Sequence, residues 1–150
     1  MVLLADDDPD DVFFMERAFK HSTLPNRLFV VPNGLEALAY LRGSAPYADR
    51  QSYPLPGLLV LDLKMPLMDG FQVLQWLKGR PEFNHLPIVV RSGSDFPGDM
   101  HKAEALGADA YWVKTADITR LTKMLHELHA RWLNGHRKGA PDSAGLAAQV

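Results

Sequence analysis

Carboxylates follow two apolar segments of the chain at the points where those segments end. LLVL at residues 58–61 runs directly into Asp62, and VLLA at residues 2–5 runs into Asp6 and Asp7. A charge at the end of a buried strand is costly unless it is paired or takes part in chemistry. Crowded carboxylates raise one another's pKa, and a divalent cation relieves their repulsion. Because all-oxygen ligands suit Mg²⁺, these residues indicate a magnesium site if the two segments are neighbours.

Two further apolar segments lead to groups that bind anions. Residues 88–90 are followed closely by Ser92, and residues 110–113 run into Lys114. A carboxylate beside Mg²⁺ is able to attack a phosphoryl group and form an aspartyl phosphate. The metal, Lys114 and Ser92 would then neutralise or hydrogen-bond the charged oxygens of the transferred group. In the resting state Lys114 also offers Asp62 a counter-charge.

Alternating elements are needed to bring these groups together. Apolar runs at residues 2–5, 28–31, 58–61, 88–90 and 110–113 predict five strands. Each run is followed by apolar residues at helical spacing, and Asp8 and Pro9 are suited to begin the first helix. This alternation predicts an α/β fold with a parallel sheet covered on both faces. The strand ends then share one rim, where such sheets bind their ligands.

The composition favours one globular domain and excludes several classes of site. Of 150 residues, 47% are hydrophobic and 23% charged, and the net charge of −2 gives no electrostatic case for nucleic acid or an anionic membrane. The absence of cysteine excludes disulfides and thiolate metal sites. The N-terminus lacks the basic start and long apolar run of a secretory signal, and no segment approaches the ~18 apolar residues of a membrane span. We therefore expect a cytoplasmic protein.

Four segments resemble the signatures of the response-regulator receiver domain of two-component signalling. They are LADDDPDD, LDLKMPLMDG, PIVVRSGSD and AYWVK, and the similarity runs from about residue 2 to residue 133. Each motif alone is weak, but four in this order at the ends of strands one, three, four and five are specific. The resemblance implies a flavodoxin-like (βα)5 three-layer sandwich with a five-stranded parallel sheet in the order 2-1-3-4-5. We therefore expect a receiver domain over residues 1–134 with no output domain. Because residues 135–150 are mostly small and polar, we expect a disordered tail there.

The resemblance also implies the parts of a metal and phosphorylation site. Asp62 corresponds to the phosphoacceptor. Asp7 corresponds to a direct ligand of Mg²⁺, and Asp6 to a ligand acting through water. The backbone carbonyl of Lys64 is the expected third protein ligand. Mn²⁺ is expected to substitute for Mg²⁺.

Three more positions carry the family's switch. Ser92 takes the place of the switch hydroxyl, Lys114 that of the lysine that binds the phosphoryl group, and Tyr111 that of the switch aromatic. On phosphorylation Ser92 would move toward the phosphoryl oxygen and Tyr111 would turn inward. The surface of the fourth helix, fifth strand and fifth helix would then change shape.

Two residues depart from the family's pattern. Lys114 precedes Thr115, where the family has proline after a cis bond, so this loop is either trans or strained. Arg91 ends the fourth strand where an apolar residue is commoner. We expect Arg91 to pair with an acid or to face a partner.

These resemblances imply a single-domain response regulator that receives its phosphoryl group from a sensor histidine kinase and is not an enzyme in the ordinary sense. The long loop at residues 44–56 and the segment HLPIVVRSGSD resemble regulators paired with phytochrome-like kinases. That subgroup often dimerises through the fourth helix and fifth strand, so we expect a homodimer. Tyr111, Trp112 and Trp132 offer apolar material for that contact. The downstream protein target stays open.

Other functions fit the residues less well. A phosphatase of the haloacid dehalogenase type needs an acid two residues after its nucleophile, and Lys64 stands there. A flavin carrier on this fold would need a phosphate-binding loop after the first strand, where ADDDPDD would repel phosphate. A phosphorylation-independent scaffold, or a shuttle or sink for phosphoryl groups, remains as the alternative.

Overall fold

Strands and helices alternate along the chain, as the sequence predicts. The computed structural model describes residues 1–134, so the expected tail at 135–150 lies outside the described residues. The elements in chain order are β1 (Val2–Ala5), α1 (Pro9–Ser22), β2 (Leu28–Val31), α2 (Gly34–Arg42), β3 (Leu58–Leu61), α3 (Gly70–Lys78), a short 3-10 helix (Pro81–Phe83), β4 (Ile88–Ser92), α4 (Pro97–Ala105), β5 (Ala110–Val113), α5 (Ile118–Leu128) and a final π-helical turn (His129–Leu133).

The five strands form one parallel sheet in the order β2-β1-β3-β4-β5. The predicted flavodoxin-like topology is therefore confirmed. Four strands have the predicted bounds, and β4 continues two residues beyond its predicted end to include Ser92. No helix of the described part of the chain is long and apolar enough to span a membrane.

Helices cover the sheet on both faces because strand side chains alternate between two core layers. Leu59 and Leu61 of β3 pack in the layer beneath α2, α3 and α4. Leu58 and Val60 of the same strand pack beneath α1 and α5. A strand buried on both faces reads as a continuous apolar run, which is the pattern that preceded Asp62 in the sequence.

The helices that follow β1 and β3 begin with side-chain caps close to the strand ends. Asp8 accepts hydrogen bonds from the N–H groups of Asp10 and Asp11, and Pro9 opens α1. Asp69 and Gln72 form a reciprocal capping box at the start of α3. These caps end the loops that follow β1 and β3 within a few residues, which holds Asp6 and Asp62 close to the sheet.

The loop at residues 44–56 is ordered by an aromatic cluster. Tyr47 and Tyr53 of the loop pack against Phe29 of β2 and Tyr40 of α2, with ring centroids 5.1–6.1 Å apart. Arg50 donates hydrogen bonds to carbonyl oxygens in the last turn of α2. The sequence predicts a loop here, but its internal packing is visible only in the structure.

Gly70 lies against the backbone of the loop that follows β3. A Cβ atom there would overlap the carbonyl oxygen of Asp62 and lie 2.8 Å from the Cα atom of Leu63. The Gly70 N–H also donates to the Leu63 carbonyl at 2.9 Å. Because the obstacles are backbone atoms, they cannot rotate away. The start of α3 therefore requires a residue without a side chain at position 70.

We expect Gly70→Ala to lower the free energy of unfolding by about 1–3 kcal/mol, since a methyl group must displace backbone next to Asp62. The measurement is urea denaturation followed by circular dichroism. Gly79→Ala is the matched control, because a Cβ at Gly79 meets nothing within 4 Å and its φ of −87° suits alanine. Equal stability of the two variants would contradict this account of α3.

Candidate functional site

The carboxylates that end β1 and β3 meet at the carboxyl edge of the sheet. Ala5 of β1 and Leu61 of β3 are paired in register, so the residues after them are neighbours. One carboxylate oxygen from each of Asp6, Asp7 and Asp62 lies within 4.8 Å of the other two. Asp6 and Asp62 are only 2% and 4% exposed, and Asp7 is exposed. Three converging carboxylates, one facing solvent, fit a hard divalent cation such as Mg²⁺.

Both carboxylate oxygens of Asp62 have donors. Oδ2 accepts from the Lys114 ammonium at 3.0 Å, and Oδ1 accepts from the backbone N–H of Lys64 at 3.3 Å. These contacts fix the orientation of the carboxylate. The role of the Lys64 carbonyl oxygen as a metal ligand stays a prediction.

The Lys114 ammonium forms ion pairs with three of the acidic side chains. Its Nζ atom lies 2.6 Å from Asp11 Oδ2, 3.0 Å from Asp62 Oδ2 and 3.2 Å from Asp6 Oδ2. Burial acts to lower the pKa of Lys114, but hydrogen bonds from its ammonium to Asp11 and Asp62, with the charges of Asp62 and Asp6, outweigh burial and raise that pKa. The ammonium is therefore firmly charged.

The bond from Lys114 to Thr115 is trans, since the one cis peptide bond in the described chain joins Ala45 and Pro46. The Lys114 N–H donates to the Ser92 carbonyl at 2.8 Å, which continues the sheet pairing past the end of β5. The lysine therefore reaches the acids without the cis proline of the family.

Asp11 is a site residue that the sequence analysis did not single out. It lies in the first turn of α1 and makes the shortest contact of Lys114. A signal was present, because Asp8 and Pro9 predict the helix start and so place residue 11 near the strand edge. What the sequence lacks is the direction of that helix over the sheet.

Asp6 carries the most crowded carboxylate. Its Oδ1 atom accepts from the Asp8 N–H at 3.0 Å, and Oδ2 lies 3.2 Å from Lys114 Nζ and 3.5 Å from Arg91 Nη1. Burial raises the pKa of Asp6, against the opposing effects of the Asp8 N–H and Lys114, and the Asp62 charge adds to the rise. Of the two expectations for Arg91, the structure shows pairing with an acid.

Ser92 and Tyr111 lie beside the acidic cluster and are connected to Ser94. Ser92 is buried at the end of β4, and its Oγ atom accepts from the Ser94 N–H at 3.2 Å. The Tyr111 ring is already turned inward, 4% exposed, and its hydroxyl donates to the Ser94 carbonyl at 2.8 Å. The two expected switch residues thus share a partner in the loop before α4.

We expect Asp11→Asn to lower the free energy of unfolding by about 1 kcal/mol at about pH 8, because it weakens a partly exposed, charge-assisted hydrogen bond to Lys114. Because the folded state raises the pKa of Lys114, the charged ammonium stabilises the fold fully below the ordinary lysine pKa of about 10.4. This stabilisation is lost as the pH rises through the raised pKa. The difference between variant and wild type should therefore shrink at strongly alkaline pH.

The measurement is urea denaturation between neutral and alkaline pH, with the pKa of Lys114 followed by NMR. Asp10→Asn is the matched control, because it removes the same charge from the same turn of α1. An unchanged Lys114 pKa in Asp11→Asn would contradict the role given to Asp11.

Comparison with known proteins agrees with this geometry. Residues 2–126 match the family described as the response regulator receiver domain. The chain is 30% identical to the response regulator Rcp1 of Synechocystis sp. over 133 residues, which are 89% of this chain and 88% of Rcp1.

Solved structures show the same relationship. The phosphorylated cyanobacterial phytochrome response regulator RcpA superposes with a TM-score of 0.79 at 31% identity, covering 91% of this chain and 96% of RcpA. The Mn²⁺-bound form of Rcp1 superposes with a TM-score of 0.76 at 30% identity, covering 90% and 95%. The chain therefore belongs to the response regulator receiver domain family and is homologous to phytochrome response regulators.

Proposed function

We propose that the chain accepts a phosphoryl group on Asp62 from a sensor histidine kinase, in a Mg²⁺-dependent reaction, and signals through a changed protein-binding surface. The observation that carries the proposal is the Asp62 carboxylate, which contacts the Lys114 ammonium and converges with the acids Asp6 and Asp7. A carboxylate oxygen of Asp62 attacks phosphorus, and the bond from phosphorus to the donor's histidine nitrogen breaks. The electron pair of that bond leaves with the imidazole.

The acids of the cluster would hold the metal in this reaction. Asp7 and Asp6, with Asp62 and the carbonyl oxygen of Lys64, form the proposed ligand set, and their oxygen donors suit Mg²⁺ or Mn²⁺. When bound, the cation neutralises charge on the phosphoryl oxygens. Support comes from the three converging carboxylates and from the Mn²⁺-bound structure of the relative Rcp1.

The new phosphoryl charge would change the protein surface through contacts of Lys114, Ser92 and Tyr111. Lys114 already lies 3.0 Å from Asp62 and would pair with a phosphoryl oxygen. The Ser92 hydroxyl would donate to a phosphoryl oxygen and give up the hydrogen bond that it accepts from the Ser94 N–H. Because Tyr111 donates to the Ser94 carbonyl, that exchange would disturb the loop before α4. The inward ring seen here gives Tyr111 no inward rotation to make, so its hydroxyl contact is the part that we propose to change.

We expect one added phosphoryl group on the wild-type chain after incubation with acetyl phosphate and Mg²⁺, measured by intact-mass spectrometry. Asp62→Asn should show none, because the attacking oxygen is lost, and a chelator should abolish the adduct. Ser92→Ala is the matched control inside the site, since it keeps the acids and should still be modified. An adduct that survives in Asp62→Asn would contradict the assignment of the phosphoacceptor. A wild-type chain with neither adduct nor metal binding would favour the phosphorylation-independent scaffold.

The kinase partner and the assembly form a second part of the proposal. We propose a phytochrome-like histidine kinase as donor, because the relative RcpA is a cyanobacterial phytochrome response regulator. We also propose a cytoplasmic homodimer that uses α4, β5 and α5. Tyr111, Trp112 and Trp132 are buried in the core, 4%, 4% and 9% exposed. They therefore do not supply the apolar contact expected from the sequence, and the contact must use other residues.

We expect multi-angle light scattering to detect a dimer. The fraction of protein in the dimer should rise when Mg²⁺ and beryllofluoride, an analogue of the phosphoryl group, are added. The physical reason is that the analogue favours one arrangement of the loop before α4. Asp62→Asn serves as the control and should not respond to the analogue. A wild-type chain that stays monomeric at high concentration with the analogue would rule out this assembly.

A further inference from the structure

Arg91 is a fully buried cation in the middle of the fold. It lies on β4 and is 1% exposed. Its side chain leaves the sheet on the face covered by α1 and α5, since its neighbour Val89 packs in that layer and side chains two apart share a face. Something near the guanidinium must therefore compensate for its burial.

Partial compensation comes from the acidic cluster. Arg91 Nη1 lies 3.5 Å from Asp6 Oδ2. Burial lowers the pKa of the Arg91 guanidinium, and the charges of Asp11, Asp6, Asp62 and Asp8 oppose that effect. Its Nε and Nη2 atoms have no hydrogen-bond partner among the described residues. The contact is thus chiefly one of charge and not of a well-made bidentate pair.

Arg91 and Lys114 face the acids in different ways. The Lys114 side chain is 15% exposed and reaches the rim, where it is able to follow a phosphoryl group. The Arg91 side chain is 1% exposed and contacts Asp6 from within the core. The site therefore holds a second positive charge that is shielded from solvent.

We propose that Arg91 is a resident cation of the acidic site that keeps Asp6 compensated without a metal and weakens the binding of a divalent cation. The inference rests on the metal site of the proposed function and deepens it. Two effects act in the same direction. A fixed positive charge repels an incoming Mg²⁺, and the guanidinium competes with the metal for the lone pairs of Asp6 Oδ2. The metal affinity of the site, and with it the magnesium dependence of phosphorylation, is then set by a residue that touches no phosphoryl oxygen.

The test is a Mn²⁺ titration followed by electron paramagnetic resonance of the free ion, with Mg²⁺ as competitor, on the full chain. Arg91→Met keeps the length and removes the charge, and we expect its affinity for Mn²⁺ to rise about tenfold. Arg91→Lys keeps the charge and should stay near the wild type. Arg80→Met removes the same charge at the end of α3, where Arg80 stacks on Trp76 at 4.1 Å, and should change nothing.

Thermal unfolding gives a second readout that is independent of phosphorylation. Without metal, Arg91→Met should melt at a lower temperature than the wild type, because Asp6 has lost a counter-charge. Saturating Mg²⁺ should raise its melting temperature by more than it raises that of the wild type. If Arg91→Met does not fold, Arg91→Gln keeps a donor for Asp6 without the charge and takes its place in both measurements.

Equal or weaker Mn²⁺ binding by the uncharged variant would overturn the role of Arg91 while leaving the proposed function intact. No Mn²⁺ binding by either protein would overturn both. Binding by Arg91→Met alone would support Arg91 as the residue that blocks the metal and would contradict Mg²⁺-dependent phosphorylation of the wild type.

Discussion

One ammonium group, that of Lys114, joins the parts of the molecule on which the site depends. It follows β5 and contacts carboxylates carried by α1, β1 and β3. The segments that follow β1, β3 and β5, together with the first turn of α1, are thereby tied at one edge of the sheet. The cost of burying this charge is offset only because several anions converge on it. The convergence in turn requires the strand order and the caps that keep the loops after β1 and β3 short.

The same requirement explains why the acids tolerate their crowding. Asp6 and Asp62 are nearly inaccessible to water, so their negative charges need nearby cations. Lys114 provides one from the rim and Arg91 another from the core. The fold and the site are thus parts of one electrostatic balance.

The sequence predicts the elements and the main site residues because both are written in local patterns. Apolar runs bounded by polar residues located the strands, and Asp62, Asp6 and Lys114 are the residues that end them. The contact of Asp11 with Lys114, and which acid Arg91 meets, could not be predicted, because both depend on how α1 lies across the sheet.

The sequence also did not predict which aromatic side chains are buried. The sequence does not distinguish whether Trp112 and Trp132 belong to the core or to an interface. The structure places both in the core layer that contains residues of α1 and α5. The aromatic packing of residues 44–56 has no periodic signal, since it joins β2 and α2 to a segment without regular structure.

The close packing of Gly70 at the start of α3 contrasts with the open space around the glycine that follows β4. Gly70 rests on the Asp62 backbone with no spare room, whereas a side chain at Gly93, after β4, would meet open space. The Asp62 backbone is therefore closely packed against α3, whereas the turn after β4 has open space beside Gly93. A backbone displacement toward α3 would meet atoms at once, and one at Gly93 would not.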